Sequence, residues 1–387
     1  MLTRRTFSVL AGTAACSVLL GALSGCGSGD DRAAGGETPR ETTGAQTGDA
    51  TAPTAEAAGA KAVPAVVPLS SGAVCVAEYA GNTLAVIDPA TDAVAQRIAV
   101  GQNPATVLMA DGWVYVGSSG GGQVTAVCAE NPGQTEAIPV GNQPLGLCFD
   151  EARGILYVGD YFTSSIHRVD TALKSLVGTI KLDACGYHNR TDPPDCCRVG
   201  PGAGRRTVAL ALAPEGDVLY AANYGTYDVA RIDLATGEEL DAFDGVVGPR
   251  QMLVSADGTQ LILAGVGGEG EQQVSALYVI DRATGKRVRE VPVGLSVAGV
   301  ALSADGKTAW AIARDDGDLV AFDTDWKETG RLPLGVGIDT LALSPGGETL
   351  FVGNSATGQL HIVDGEALSV RTTVEGLAAP KGIAVMA

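Results

Sequence analysis

The sequence has few of the side chains that most metalloenzymes and acid–base catalysts use. It contains three histidines in 387 residues, and neither C-x-x-C-H nor H-E-x-x-H occurs in it. Covalent c-type haem and a zincin-type zinc site are therefore excluded. The run SGGGQ at 119–123 is not followed by the lysine and helix that a phosphate-binding loop requires. These absences favour a binding protein over an enzyme, and we predict no catalytic residue.

Positive charge is also scarce. Lysine and arginine number 26 against 44 aspartates and glutamates, which gives a net charge of −18. Nucleic-acid binding depends on neutralising phosphates with lysine and arginine, and anionic lipid surfaces attract the same residues. We therefore expect no nucleic-acid partner and no flat contact with an anionic membrane.

The apolar run near the N-terminus is short. Residues 8–23 fall below the ~20 apolar residues that a membrane-spanning helix needs. Arg4 and Arg5 precede this run, and the tetrapeptide LSGC ends it at Cys26. This order resembles a twin-arginine export signal that ends in a bacterial lipobox. The resemblance implies a signal peptide over 1–25 and a lipid on Cys26; the run length disfavours the alternative, an uncleaved signal anchor.

The segment that follows, residues 26–64, lacks aromatic and large aliphatic side chains. It cannot bury enough apolar area to offset the entropy of ordering, so we predict a disordered tether. Removing 1–25 deletes two arginines and no acid, which changes the net charge from −18 to −20. Two or three acyl chains anchor a protein stably. We therefore expect an exported lipoprotein on the extracytoplasmic face of the cell envelope, with the membrane as a partner through its lipid anchor.

From residue 65 onward one pattern recurs seven times. Each copy has a run rich in branched and aromatic residues, then a strand that usually ends in Asp, then a turn such as DPATD or DRATG. A fourth strand often ends in V-G, and a first strand restarts the cycle. Four short strands per copy are typical of one propeller blade each. The third strands of blades 1 to 7 are TLAVID (83–88), QVTAVCA (123–129), SIHRVD (165–170), DVARID (228–233), ALYVID (276–281), DLVAFD (318–323) and QLHIVD (359–364).

The two ends of the repeat predict how the ring closes. The first copy begins at its second strand, near Ala73, and a spare first strand, KGIAVM, follows the last copy at 381–386. Pairing this strand with blade 1 completes seven blades of four strands and leaves no open sheet edge at the junction. The sequence therefore predicts an all-β protein, a seven-bladed β-propeller over 65–387 whose C-terminal strand pairs with the N-terminal blade.

The repeat resembles that of the YVTN family of seven-bladed propellers. The family's tetrapeptide has its counterparts in YVGD (157–160), YAAN (220–223) and FVGN (351–354), and its G-x-x-P in GQNP (101–104) and GNQP (141–144). The resemblance implies the fold and leaves the activity open. Relatives by fold include the haem d1 domain of nitrite reductases, the large subunit of quinone-cofactor amine dehydrogenases, and lactonases.

One link departs from the regular spacing. Between blades 3 and 4 it runs over 183–206 and contains CGYHNRTDPPDCC. The favoured interpretation is a disulfide from Cys185 to Cys196 or Cys197, because an exported protein meets oxidising surroundings. A second is a zinc or copper site of Cys185, His188 and Cys196. A third is a bridge between Cys196 and Cys197, similar to the vicinal disulfide of some quinone-dependent alcohol dehydrogenases.

Links of this kind emerge at the end of a propeller where ligands usually bind, around the central channel. We expect the inserted link to lie at this mouth, together with nearby aromatic and basic residues. The binding candidates are Tyr161, Tyr224, His188, Arg205, Arg206 and Arg250.

Three functions remain open on this basis. The favoured one is a binding or scaffold role of the mouth toward an envelope protein or a small-molecule ligand, without a cofactor and as a monomer. The alternative is an oxidoreductase or redox-enzyme subunit of the amine dehydrogenase or haem d1 type, in which haem, a quinone or a thiophilic metal would be held. The third is a lactonase-like hydrolase.

Overall fold

Every described strand belongs to one of seven antiparallel sheets. The computed structural model describes residues 67–182, 204–267 and 275–387. The predicted signal peptide, the lipidation site Cys26 and the whole of the predicted tether lie outside these ranges. So do Cys185, His188, Cys196 and Cys197 of the inserted link.

The strands are five to seven residues long and follow the repeat copy by copy. Blades 1 to 3 contain β1 Val74–Glu78, β2 Thr83–Asp88, β3 Ala93–Ala99, β4 Pro104–Ala110, β5 Trp113–Ser118, β6 Gln123–Cys128, β7 Thr135–Pro139, β8 Pro144–Asp150, β9 Ile155–Asp160, β10 Ser165–Asp170 and β11 Ser175–Lys181. Blades 4 and 5 contain β12 Thr207–Leu212, β13 Val218–Asn223, β14 Asp228–Asp233, β15 Glu239–Asp244, β16 Pro249–Val254, β17 Gln260–Gly265, β18 Ala276–Asp281 and β19 Arg287–Pro292. Blades 6 and 7 contain β20 Val297–Leu302, β21 Ala309–Ala313, β22 Asp318–Phe322, β23 Glu328–Pro333, β24 Ile338–Leu343, β25 Thr349–Asn354, β26 Gln359–Asp364 and β27 Ser369–Val374, and β28 Pro380–Val385 returns to blade 1.

The predicted closure is confirmed. Strand β28 pairs antiparallel with β1, so blade 1 has the order β28-β1-β2-β3, while each other blade is built from four consecutive strands. Backbone hydrogen bonds extend the pairing at both ends, from Gly72 N to Met386 O and from Tyr79 N to Ala379 O. The chain termini of the ring are thereby joined in one sheet.

Burial follows the position of a strand within its blade. The second and third strands, such as β1 and β2, are buried along almost their whole length. In fourth strands such as β3, exposed residues alternate with partly or fully buried ones. Seven apolar clusters form the core, and each of them joins two neighbouring blades. A single four-stranded sheet would leave both faces wet, and stacking blades around an axis removes that exposure.

The hairpins between first and second strands use glycine as the sequence indicates. Gly216 in PEGD and Gly258 in the first SADG have φ of 74° and 73°, a region that suits glycine. These turns lie at the end of the ring opposite the links that join one blade to the next.

Among the described residues no helix is long and apolar enough to cross a membrane. In the same ranges Cys75, Cys128 and Cys148 are free thiols. Burial raises the pKa of Cys75 to about 12 and that of Cys148 to about 11.

Candidate functional site

The mouth is the end of the ring at which the seven inner strands begin. Each inner strand starts with a β-bulge, in which one residue has no partner on the second strand; in blade 1 the following residue, Gly382, has none either. A bulge re-aims side chains and is common beside functional sites. We call the first unpaired residue the bulge position of each blade. From blade 1 to blade 7 the bulge positions are Lys381, Ala105, Leu145, Val208, Arg250, Ala298 and Asp339.

A second set of equivalent residues follows the second strand of each blade. The backbone N–H of each one donates to a carbonyl of the link that leads into its own inner strand, and this bond is present in all seven blades. We call it the shoulder position. From blade 1 to blade 7 the shoulder residues are Tyr79, Ser119, Tyr161, Tyr224, Val266, Arg314 and Ser355. The same backbone hydrogen bond therefore holds the shoulder residue in every blade, whereas the side chain at this position differs from blade to blade.

Three cations from three blades converge on one carboxylate at the mouth. Lys381 Nζ donates to Asp339 Oδ2, Arg314 Nε lies 3.4 Å from Asp339 Oδ1, and Arg250 Nη2 lies 3.7 Å from the same oxygen. The Asp339 side chain is 1% exposed, whereas Arg250 and Arg314 keep 15% and 23% of their side-chain surface. Arg314 also pairs with the exposed Asp315 at 3.2 Å. We call Arg250, Arg314, Lys381 and Asp339 the cation cluster.

The hydrogen bonds of the cation cluster are incomplete. Asp339 Oδ1 and Arg314 Nε are buried and have no hydrogen-bond partner among the described residues. Arg250 contacts Asp339 only at ion-pair distance. Guanidinium groups form charge-assisted bonds with carboxylates and phosphates, often two at a time. The cluster therefore has donor capacity left for an anion.

Burial and charge act in opposite directions on the cluster. Burial would raise the pKa of Asp339, but Lys381, Arg250 and Arg314 hold it below its ordinary value. Burial, together with the positive charges of Arg250 and Arg314, lowers the pKa of Lys381 to about 8 against the opposing effect of Asp339. Lys381 is thus charged at pH 7 and loses its charge at moderately alkaline pH.

Aromatic rings occupy another part of the mouth. The Tyr161 and Tyr224 rings lie 6.4 Å apart, and Tyr161 is 5.2 Å from the half-exposed Phe162. The Arg206 guanidinium is 5.6 Å from the Tyr161 ring, and Tyr227 contacts Tyr224. By ring order the junction of blades 3 and 4 lies opposite blade 7. The mouth therefore has an aromatic side facing a cationic side.

The predicted candidates separate into groups on this surface. Tyr161, Tyr224 and Arg206 lie together at the aromatic side, where Tyr161 is buried at 7% exposure and the other two are partly buried, and Arg250 belongs to the cation cluster. Arg205 corrects the expectation, because it is fully buried and bonds Asp228 at 2.7 Å and Glu239. Its positive charge pairs with these two carboxylates inside blade 4 and does not face the mouth.

Sequence reasoning missed Arg314, Asp339 and Lys381. The signal was present in the repeat. Aligning the starts of the inner strands places a charged residue at the bulge position of blades 5, 7 and 1, and Ala, Leu or Val in the others. The second-strand run TAWAIAR (308–314) ends in arginine where blades 1, 3 and 4 have tyrosine.

The described residues contain no group of three or more His, Cys, Asp or Glu side chains placed to hold a metal ion. His167 and His361 occupy equivalent places in β10 and β26, and each Nδ1 lies 3.1 Å from a threonine hydroxyl of the fourth strand. His167 Nε2 is also 3.4 Å from buried Asp160. These contacts are those of packed, hydrogen-bonded histidines.

Comparison with known proteins identifies the fold. No protein-family model and no curated protein matches the sequence. Among solved structures, hydrazine synthase of Kuenenia stuttgartiensis matches with a TM-score of 0.64 and 18% identity, over 79% of this chain and 95% of that one. The periplasmic gluconolactonase of Pseudomonas aeruginosa matches with a TM-score of 0.64 and 19% identity, over 82% and 99%.

A third structure, the dihydro-heme d1 dehydrogenase NirN, matches with a TM-score of 0.57 and 15% identity, over 84% of this chain and 78% of that one. This chain is a seven-bladed β-propeller. Since these identities are low, the likeness establishes the fold and not the activity.

Proposed function

We propose that the protein binds a small anionic ligand, a carboxylate or a phosphate ester, at the mouth of its propeller. The observation that carries this is the convergence of Arg250, Arg314 and Lys381 on a single buried carboxylate. Arg250 comes from blade 5 and Asp339 from blade 7, so the side chains reach past blade 6 to meet. Positive charge is scarce on this acidic protein, and three of its cations meet at this one carboxylate.

The opposite side of the mouth supplies the complementary surface. Phe162, which is 48% exposed, offers a ring to the less polar part of a ligand and packs against the buried Tyr161, whose ring neighbours the partly buried Tyr224. Pockets that bind small molecules commonly combine aromatic walls with a few placed polar groups. A sugar acid or another compact hydroxy acid has both features. The gluconolactonase among the structural neighbours supports this ligand class.

The cellular setting of this function is part of the proposal. A lipid on Cys26, export by a twin-arginine-type signal and a YVTN-type repeat would place the mouth outside the cytoplasm on a flexible tether. A redox role is the alternative. It rests on Cys185, His188 and Cys196 in the inserted link and on neighbours such as hydrazine synthase. An absorbance spectrum and elemental analysis of protein exported by its own route test that alternative.

The binding proposal is tested by titration calorimetry with D-gluconate and with inorganic phosphate. We expect at least one of the two to bind, and Arg250→Ala to weaken its affinity by about tenfold to a hundredfold, since a hydrogen bond to a charged group contributes about 1.5–3 kcal/mol. Lys307→Ala is the matched control. Lys307 is 75% exposed and lies at the other end of the ring, so this variant removes the same charge without touching the mouth. Equal losses in both variants would contradict the proposal.

A further inference from the structure

Ser355 makes contacts that anion binding does not require. It is the shoulder residue of blade 7 and is partly exposed at the mouth. Its hydroxyl donates to Asp339 Oδ2 at 3.2 Å, and its Oγ accepts from Lys381 Nζ at 3.4 Å. A serine hydroxyl is a weak nucleophile until a base within hydrogen-bond reach accepts its proton. Serine–lysine pairs perform this chemistry on unrelated folds, where geometry and not sequence position defines the site.

We propose that Ser355 is a nucleophile and Lys381 its general base, in the hydrolysis of an ester or lactone that carries a carboxylate or phosphate group. The inference rests on the proposed function, because the cation cluster is what selects the charged substrate. Asp339 is a positioning residue, since it contacts both Ser355 and Lys381. Arg250 and Arg314 supply the positive charge for the substrate anion and for the oxyanion that forms at the carbonyl.

The reaction balances without a cofactor. Ser355 Oγ forms a bond to the carbonyl carbon while its proton passes to neutral Lys381 Nζ. The carbon–oxygen bond to the leaving group then breaks, and the leaving oxygen takes that proton. Water next attacks the acyl-serine and gives a proton to Lys381, the bond to Ser355 breaks, and Ser355 recovers the proton. The products are a carboxylic acid and an alcohol, which are one hydroxy acid when the substrate is a lactone.

The environment of Lys381 allows this role. The charged and titratable groups that face it are Asp339 on β24, Arg250 on β16, Arg314 after β21 and the Tyr79 ring after β1, 6.0 Å away. Burial lowers the pKa of Lys381 to about 8 in spite of Asp339. A usable fraction of the amine is therefore neutral at mildly alkaline pH, as a general base must be.

The repeat provides a matched serine for comparison. Ser119 is the shoulder residue of blade 2, and its Oγ donates to the Asn103 carbonyl at 2.9 Å. The bulge position of the next blade is Leu145 there, whereas it is Lys381 beside Ser355. The two serines thus occupy equivalent positions in the fold, but the bulge position of the next blade is a lysine for Ser355 and a leucine for Ser119.

The first experiment treats the full chain with a neutral fluorophosphonate and locates the label by peptide mass mapping. We expect Ser355 to be labelled, with a rate that rises as the pH passes about 8. Ser355→Ala abolishes the label, and Ser119→Ala leaves it unchanged. Lys381→Arg keeps a cation that cannot act as the base, and we expect it to slow labelling at least a hundredfold. Circular dichroism shows that each variant is folded.

Two results overturn the assignment: no label on Ser355 in folded protein, or labelling that Lys381→Arg leaves at the original rate. The probe carries no charge, so its outcome is independent of anion binding. If D-gluconate binds through Arg250 but Ser355 does not react, the nucleophile is wrong and the binding function stands. If Ser355 reacts and neither anion binds, the binding function is wrong.

The substrate class has its own measurement. We expect kcat/KM for 4-nitrophenyl hemisuccinate to exceed that for 4-nitrophenyl acetate by about tenfold or more, and Arg250→Ala to remove the difference, because that arginine serves the anionic end. Equal values for the two esters in the unmodified protein would contradict an anionic substrate.

Discussion

Arg250 Nη2 lies 3.7 Å from Asp339 Oδ1, although the two residues belong to blades 5 and 7. Blade 6 separates them in the ring and has Ala298 at its bulge position. No long side chain from that position stands between them. A contact between non-neighbouring blades can form only where the inner strands meet around the axis. This pair therefore places the cation cluster at the central opening of the ring.

Adjacent arginines at the start of blade 4 are expected to behave differently on substitution. Arg205 is fully buried against Asp228 and Glu239, so Arg205→Ala leaves two carboxylates without their cation. We expect a loss of about 3–5 kcal/mol in the free energy of unfolding. Arg206 is partly buried and lies over the Tyr161 ring, and we expect Arg206→Ala to cost less than Arg205→Ala.

Urea unfolding followed by tryptophan fluorescence measures both arginine variants. Both variants replace one arginine by alanine at adjacent positions of the chain. Each is therefore a control for the loss of charge in the other. A comparable loss in the two variants would contradict the structural role assigned to Arg205.

The closing strand is tested at Gly382. A Cβ there would lie 2.8 Å from Thr106 Cα and 2.9 Å from Val107 N, which are backbone atoms of blade 2 and cannot move aside cheaply. We expect Gly382→Ala to destabilise the protein by about 1–3 kcal/mol, as overpacking commonly does. Thermal unfolding of this variant and of Gly346→Ala makes the comparison, because nothing lies within 4 Å of a Cβ at Gly346. If both variants unfold like the parent protein, β28 does not pack against blade 2 as described.

The fold could be predicted from the sequence because the repeat is strong. Seven third strands such as TLAVID and ALYVID set the blade count, and the spare KGIAVM indicated the closure that β28 makes. The strands that the sequence pattern indicates are the strands that pair in the structure. Counting them was therefore enough to predict the number of blades.

The site was harder to predict, because it depends on contacts between blades distant in the sequence. Arg250 and Asp339 are 89 positions apart, and the bulge that aims both is a detail of pairing register. Arg205 shows the opposite error. Its neighbour Arg206 reaches an aromatic ring at the mouth, while Arg205 itself turns into blade 4, and a one-residue difference of this kind is not visible in composition.

The affinity for a carboxylate ligand is expected to fall at alkaline pH. The pKa of Lys381 is lowered to about 8, so the lysine is charged below that pH and neutral above it, while a carboxylate stays ionised throughout. We expect the D-gluconate dissociation constant to increase from pH 7 to pH 9.5. Lys381→Met should bind more weakly at pH 7 and show no further loss on raising the pH. An affinity of the parent protein that is constant over this range would contradict the role of Lys381.

The inserted link is tested by its thiols. We predict that mass mapping of non-reduced protein finds Cys185 bridged to Cys196 or Cys197, because the proposed export would bring these thiols into oxidising surroundings. Cys75 and Cys148 serve as internal controls, because burial raises their pKa and they should resist alkylation in the folded state. Free thiols at all three positions of the link would refute the disulfide, and a Cys196–Cys197 bridge would favour the vicinal alternative.

The central claim, that the mouth binds anions through its cation cluster, is tested most directly by a crystal of the protein soaked in selenate. The selenium gives an anomalous signal that locates the anion without reference to any assay. We predict a peak within hydrogen-bond distance of Arg250 and of Arg314 or Lys381, and we expect this peak to be lost in Arg250→Ala crystals. Selenate bound elsewhere on the surface, with no peak at these residues, would contradict it.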